Sequence, residues 1–521
     1  MFGRRLAQTA LVGSCLAVLL AGCGGMTGVD DTGVVVPPPP KVDPTEPANR
    51  DASALAKVSG DSQSTLVNQI VAQRLVVKVT DANGDPVKNA EVAWTLGGSG
   101  AVVPVTPATD ENGEASATWQ LGAEPGAQFV RAEVGNFNVT FTATATLQFE
   151  SVDAGGFHAC AITPSAAVYC WGYNGDGQLG SGGYDNRNVP TALIAPEDSA
   201  ARLTFRQLSG GRYHTCGITL SGIAYCWGAN VDGRLGTGDA TPSAKPRQAS
   251  TPVAFASIGS GWNHTCGLSK AGLVYCWGFN QEGEVGAKIP PAESVFVAVP
   301  RPVSAQTFKT MAVGGLHSCA IDLDDRAWCW GFNGYGQLGD GTTNWTLNNL
   351  VDSTGAPISG VPVAVQTGLT FDAIAAGAHH TCALSGGVPW CWGDNRYWQL
   401  GTSGVENSLL PIQVAMPAGV TAFATLSAGD YHTCGVTAAG KAYCWGDNRY
   451  GQLGTGTTTN SATPLPVAPE LTFRSFSAGE TLSCGVTTDE KVYCVGNNLY
   501  GQVGDATNEG RTSPVKVAYQ P

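Results

Sequence analysis

Gly429 to Gly454 reads GDYHTCGVTAAGKAYCWGDNRYGQLG, and this pattern recurs through the chain seven times. In this copy Cys434 and Cys444 face each other across a short turn. The other copies place their pairs at Cys160/Cys170, Cys216/Cys226, Cys266/Cys276, Cys319/Cys329, Cys382/Cys391 and Cys484/Cys494. Directly opposed residues of an antiparallel hairpin share a constant index sum. For Cys216/Cys226 that sum is 442, which pairs Thr219 with Ile223 and leaves Leu220-Ser221-Gly222 as a three-residue loop. Gly222 falls where such a loop needs a left-handed residue. Cys382 and Cys391 are 9 apart and not 10, and their sum of 773 centres a two-residue loop on Gly386-Gly387. That is the composition of a primed turn. One residue is missing from this turn, yet the cysteines still oppose each other.

In both loop types the cysteines lie three pairs below the turn-flanking pair. Hydrogen-bonded and non-hydrogen-bonded pairs alternate, so the cysteines fall on a non-hydrogen-bonded pair. Their Cα atoms should then be roughly 4.5 Å apart, within disulfide reach. The pattern predicts seven cross-strand disulfides. Each closes a loop of about ten residues and contributes on the order of 2–3 kcal/mol. Zinc, held by one cysteine pair and one histidine per copy, is the rival reading. Directly opposed cysteines on one hairpin suit a bond better.

The chain has 521 residues with 69 glycines, 43% hydrophobic and 13% charged residues. This suits a turn-rich β protein of two or three domains. A net charge of −13 argues against nucleic acid or an anionic membrane surface as partner. Fourteen of 16 cysteines are in the pairs, which places the chain in an oxidising compartment.

The two remaining cysteines, Cys15 and Cys23, lie at the N-terminus. Arg4 and Arg5 precede an apolar run from Leu6 to Leu20, too short for a stable membrane anchor. Leu20-Ala21-Gly22-Cys23 resembles a bacterial lipoprotein signal. The resemblance implies cleavage before Cys23, lipidation of Cys23, and an exported protein anchored to the bacterial outer membrane or cell surface. An ordinary secretory signal with a chance cysteine is the plainer alternative. Residues 24–51, with Pro37 to Pro40, Pro44 and Pro47, read as an extended, disordered tether.

Residues 52–147 carry about seven short strand patterns, including Leu75 to Val79 and the alternating Phe137, Val139, Phe141 and Ala143. Turns at Asp81 to Gly84 and Thr109 to Gly113 separate them, and a β-sandwich is expected. VTDANGDPVKNAEVAWTL, TDENGEA and VTFTATA resemble bacterial immunoglobulin-like repeats of the invasin and intimin type. That resemblance implies a spacer or adhesive module.

Residues 148–521 hold the copies, whose first cysteines are spaced by 56, 50, 53, 63, 52 and 50 residues. A period of this length means a propeller or solenoid. Each copy reads as a strand beginning F-x-x-[LIVM], a G-x-x-H turn, the cysteine hairpin, an N-x-x-G-Q-L-G turn and a Pro-Val strand. Four strands taken seven times make a seven-bladed all-β propeller with one disulfide per blade. W-G-x-N-x-x-G-Q-L-G, at Trp171–Gly180, Trp330–Gly339 and Trp445–Gly454, resembles the regulator-of-chromosome-condensation repeat family. Departures are Trp398 for a glycine, Val495 for the tryptophan, Leu482 for the histidine, and Arg234 and Glu284 for the glutamine. Relatives include a nucleotide-exchange factor for a nuclear GTPase. An exported lipoprotein would not meet that GTPase, so the activity is not carried over.

Six turn histidines recur: His158, His214, His264, His317, His380 and His432. They could ring the channel mouth as metal ligands or pH sensors. More plainly, each ties its turn to the neighbouring blade through backbone hydrogen bonds. No catalytic set, cofactor motif or metal site stands out. In an up-and-down blade the G-x-x-H and N-x-x-G turns share one face. The residues that vary there are Phe157, Arg212, Tyr213, Trp262, Tyr397, Trp398, Tyr431, Tyr450 and Tyr500. Rigid aromatics on fixed turns are what binding surfaces use; packing between blades is the bland alternative. The long segment from Asp340 to Leu369, with Trp345, is a further candidate contact. The expectation is a non-enzymatic binding scaffold for a protein or glycan partner. Alternatives are a secreted inhibitor, since a propeller of this repeat family blocks β-lactamases, and a propeller hydrolase or lyase.

Overall fold

The structure is a computed structural model and describes residues 51–196, 201–287, 295–343 and 360–521. The signal, Cys23, nearly all of the tether and Trp345 therefore lie outside the described residues. Asp51–Pro521 form one compact unit. Among the described residues every regular element is a β-strand, and the strands assemble into nine four-stranded sheets.

The first two sheets come from residues 54–146 and use eight strands, one more than expected. One pairs Ala54–Ser59, Leu75–Thr80, Glu114–Leu121 and Gly100–Pro104; the other pairs Gln63–Leu66, Phe137–Thr146, Gly126–Val134 and Ala93–Gly97. Burial alternates along Leu75–Thr80, Glu114–Leu121 and Gly126–Val134. The buried sides of both sheets meet in one core containing Leu75, Val77, Trp119, Val130 and Phe141.

The other seven sheets follow in sequence. Unit 1 pairs Ser151–Ala154, His158–Ile162, Val168–Gly172 and Arg187–Ala192. Units 2 to 7 open at Phe205, Phe255, Phe308, Ala373, Thr425 and Phe473, and the last ends at Lys516. Strands within each unit are neighbours in sequence order, so no strand is lent from one unit to another. The cysteine strands are buried on both sides because each sheet is covered by its two neighbours. The cores therefore sit between units: Cys160, Ile162 and Cys170 of unit 1 pack with Phe205, Leu208 and Trp227 of unit 2. Unit 7 packs back on unit 1 through Leu482, Val486 and Val492 against Val152, Ala159 and Trp171, which closes the ring.

The hairpin register is the one read from the index sums. Thr219 and Ile223 flank the three-residue loop, with Gly222 at φ 94°. Gly386 and Gly387 have φ 57° and 81°, the two left-handed residues of a primed turn. Directly opposed cysteines are Cys160 and Cys170, Cys216 and Cys226, Cys266 and Cys276, and Cys319 and Cys329. Cys382 opposes Cys391, Cys434 opposes Cys444, and Cys484 opposes Cys494. Each of these seven pairs is a disulfide. Sulfurs bonded to each other leave no thiolate for zinc, so the rival reading falls in every copy.

Two features of the pairs differ from expectation. Their Cα atoms are 4.0–4.1 Å apart, closer than the roughly 4.5 Å of an unlinked pair, because the sulfur bridge draws the strands together. Nor do the bridges only staple their own hairpins. All fourteen cysteines are buried in the cores between units. Cys276 packs with Val303 and Trp330, Cys329 with Phe371 and Trp392, and Cys494 with Phe149 and Trp171, in each case reaching the adjoining sheet or the segment leading into it. The spacing within one hairpin carries no information on this second role.

Candidate functional site

Three belts of hydrogen bonds run round the ring, and the site is what they hold in place. At the hairpin end, a phenylalanine N–H of each unit donates to the left-handed residue of the preceding hairpin, from Phe205 to Ala166 through to Phe149 and Glu490, at 2.8–3.1 Å. At the channel, the backbone after the glycine of each G-x-x-H turn bonds the next unit at 3.0–3.3 Å, ending with Glu480 N to Gly155 O. This contact needs glycine. A Cβ on Gly429 would stand 2.1 Å from the Gly479 carbonyl, and one on Gly479 would stand 2.3 Å from that of Gly155.

The third belt uses the turn histidines. Nε2 of His158, His214, His264, His317, His380 and His432 meets a Thr or Ser hydroxyl of the next unit at 2.7–2.9 Å. This corrects the expectation of backbone hydrogen bonds: the partner is the residue that follows the histidine in the next copy, as in His-Thr-Cys. Thr215 Oγ1 donates to the Gln178 carbonyl at 2.8 Å, so its one proton is used and the His158 ring must donate to it. Trp227 Nε1 donates to the same carbonyl at 2.8 Å. Arg234 and Glu284 serve in this role as well as glutamine does, because only their backbone carbonyls receive the Trp277 and Trp330 indoles. Burial holds the imidazoles neutral, pushing His158 and His432 to about 4 and His264 and His380 to about 3. These rings are structural ties. Among the described residues no three His, Cys, Asp or Glu side chains group as metal ligands.

The mouth at the G-x-x-H end is closed by side chains that break the sevenfold repeat. Arg212 of unit 2 pairs with Glu480 of unit 7 at 2.9 Å. Trp262 of unit 3 gives its indole N–H to the Asp430 carboxylate of unit 6, 3.1 Å from each oxygen. The Arg212 guanidinium lies 4.8–5.7 Å from the ring centres of Trp262, Tyr213 and Phe157. Phe157 contacts Tyr213 and Tyr500, while His379 joins Trp262, Tyr335 and Tyr431. Beyond them, Arg396 stacks on Tyr335 and Arg449 on Tyr397, each guanidinium gripped by the aspartate two residues before it. Burial pushes Asp430 up to about 6 and Glu480 to about 8. Beneath the plug is a chamber of about 70 Å3, walled mostly by the belt glycines and neighbouring alanines.

The structure brings Phe157, Arg212, Tyr213, Trp262, Tyr397, Tyr431 and Tyr500 together on this end, half-buried against one another or neighbouring rings. Trp398 and Tyr450 differ in being 40% and 47% exposed. Trp398 stands at φ 70° where other copies have glycine. A bulky residue there costs roughly 1–2 kcal/mol. Sequence reasoning missed the pairings of Asp430 and Glu480 and the rings of Tyr173, Phe332 and Tyr335. The available signal was the opposite charge of Arg212 against Asp430 and Glu480 at one turn position.

The recurring asparagine is turn chemistry: Asn448 Oδ1 accepts the Leu453 N–H and its amide donates to the Thr457 and Thr459 carbonyls.

Comparison with known proteins agrees with this geometry. The Regulator of chromosome condensation (RCC1) repeat matches residues 149–178, 205–234, 255–284, 308–337, 423–452 and 473–502. A second profile of the same repeat matches 165–218, 221–268, 271–321, 324–384, 386–436 and 439–486, together more than half of the chain. The ultraviolet-B receptor UVR8 of Arabidopsis thaliana is 29% identical over 61% of this chain and 58% of its own length. The human E3 ubiquitin-protein ligase HERC2 is 29% identical over 63% of this chain but only 5% of its own length. The chain thus spans less than two thirds of either relative. Among solved structures, human WBSCR16 is similar at TM-score 0.56 and 21% identity, covering 67% of this chain and 90% of that one. Yeast RCC1 (Prp20), solved with Kap60, is similar at TM-score 0.57 and 20% identity, covering 71% and 85%. By its repeats and its propeller-like sheets, this chain belongs to the regulator of chromosome condensation (RCC1) repeat family.

Proposed function

We propose that this protein is an exported, lipid-anchored binding scaffold: an immunoglobulin-like sandwich carrying a seven-bladed propeller whose aromatic end engages a macromolecular partner. The observation that carries the reading is the concentration of rigid rings and stacked guanidiniums at one end of the ring. Hot spots of protein interfaces have this composition. The strand Phe137–Thr146 runs within three residues into Phe149, which bonds the hairpin end of unit 7. The aromatic end is therefore the one turned away from the N-terminal sheets. A lipid on Cys23 and a stiff tether would hold that end outward from the membrane. Seven buried disulfides favour an oxidising compartment. The reading assigns no catalytic role and no cofactor. Inhibition of an envelope enzyme is one form such binding takes.

Trp398 and Tyr450 test it. Both are exposed, so W398A/Y450A should leave the melting temperature within a few degrees of the parent. It should also lower capture of envelope proteins by the full-length chain about tenfold or more. Equal capture by parent and variant removes this end of the ring as the binding surface.

A further inference from the structure

We propose that the closed mouth is a receptor for one more cationic group, an ammonium or guanidinium carried by the partner, which the carboxyls of Asp430 and Glu480 accept in exchange for a proton. This rests on the binding role above and adds the chemistry of what is bound.

The charges at the mouth do not balance. Two carboxyls, Asp430 and Glu480, have one cation between them: Arg212 contacts Glu480 and reaches Asp430 only through its field. Asp430 uses both oxygens on the Trp262 indole, a neutral donor. Glu480 spends one oxygen on Arg212, and its Oε2 is buried with no hydrogen-bond partner among the described residues. Arg212 Nε is in the same condition. So is the hydroxyl of Ser260, a residue only 8% exposed that lines the chamber. A buried carboxylate without a counter-ion is costly, and the usual relief is a proton or a cation.

Apart from Arg212, the described groups facing the pair are aromatic, neutral or already paired, and none opposes a cation. Phe157, Tyr213 and Trp262 already present their rings to a guanidinium, and ring faces attract positive charge. His379 is held neutral by burial, at about 4. Tyr431, beside Asp430, keeps its proton, with burial raising it to about 12. The next charges outward, Asp394 and Arg396, satisfy each other. The chamber is large enough for an ammonium head with a water, and Arg212 and Glu480 reach the surface with side chains 29% and 12% exposed. An anion meets two carboxyls here, and a neutral donor gains a hydrogen bond from them but no charge pairing.

Protonation supplies the test. Burial and their mutual repulsion raise both carboxyls above the ordinary range, so the pair gives up its last proton only as pH rises. A cation displaces that proton, so affinity rises with pH until the pair is ionised. The full-length protein is titrated with methylguanidinium at constant ionic strength, with methylurea as the neutral isostere. Methylguanidinium should bind about tenfold more tightly near pH 8 than near pH 6, and methylurea more weakly at both. E480Q should remove most of the pH dependence, leaving only the small part Asp430 supplies near pH 6, and weaken binding near pH 8 about tenfold. R212M removes the resident cation while keeping the stem, so it should bind methylguanidinium more tightly than the parent, with its fold checked by thermal unfolding. Equal binding of the two probes, a pH-independent affinity, no effect of E480Q, or no gain in R212M overturns the proposal, as does the absence of binding at either pH. Loss of capture through W398A/Y450A alongside any of these results leaves the binding role standing without the cation.

Discussion

Six junctions of the ring are tied by a histidine and a hydroxyl; the seventh, between units 7 and 1, is not. There Leu482 stands where the histidine would be and Ala159 where the hydroxyl would be, and both are buried in one apolar core. The two departures lie far apart in sequence and belong together in space. A leucine facing a hydroxyl, or a histidine facing a methyl group, would each leave a buried polar group with a poor partner. The closing junction keeps everything else: Glu480 N to Gly155 O, Phe149 N to Glu490 O, and Trp171 Nε1 to Gln502 O at 3.0 Å. The backbone belts therefore close the ring, and the histidine belt is one of two solutions to filling the space between sheets.

The largest effect is expected where the backbone belts are touched. Gly429→Ala puts a methyl group 2.1 Å from the Gly479 backbone carbonyl and 2.6 Å from the buried His432 ring. It should cost roughly 3 kcal/mol or more, read as a fall in denaturant midpoint. A near-neutral result would mean that the units part there without penalty.

Acid should act next, on the six histidine junctions and not on the seventh. Folded histidines stay neutral down to about 4 or 3 for His158, His264, His380 and His432, and His214 and His317 also lie well below their ordinary value. The unfolded chain takes up those protons near 6.5. Their contribution is therefore complete above about pH 6.5 and lost as pH falls toward 4. Glu284 and Glu480, raised by burial to about 8, work in the opposite sense and offset part of the loss. On balance the melting temperature should be lower near pH 5 than near pH 7. A flat or rising profile would show that the imidazoles do not control acid stability.

The smallest effect comes from converting the odd junction into the common one. L482H/A159T supplies the missing ring and hydroxyl together and should change stability by less than about 1 kcal/mol near pH 7. Either single change should cost more than the pair, and the double variant should be more sensitive to acid than the parent.

What was legible in the sequence was what is local. The hairpin register follows from ten residues of spacing, so Cys216/Cys226 and the shortened Cys382/Cys391 could be paired without coordinates. The packing of Cys276, Cys329 and Cys494 against the next sheet could not, since it depends on the neighbour. The histidine's partner was also written in six of the seven copies, in the Thr or Ser that follows the histidine position. It was passed over because that residue acts on the preceding unit. Arg212 with Glu480 and Trp262 with Asp430 were out of reach for another reason. They pair units that are neither neighbours nor related by the repeat, so their meeting depends on angular position round the ring. Trp398 was visible as a departure, but its left-handed backbone and its exposure were not.

The cysteines are never more than 10 residues from their partners. On the exported reading proposed above, a chain threaded outward N-terminus first would oxidise each hairpin as it emerges, with no thiol waiting for a distant mate. Fourteen thiols would otherwise offer a very large number of wrong pairings. The seventh unit would then arrive last and meet unit 1 already stapled, making ring closure a docking of finished parts. Assembly order, no less than final stability, is written into the spacing of those sulfurs.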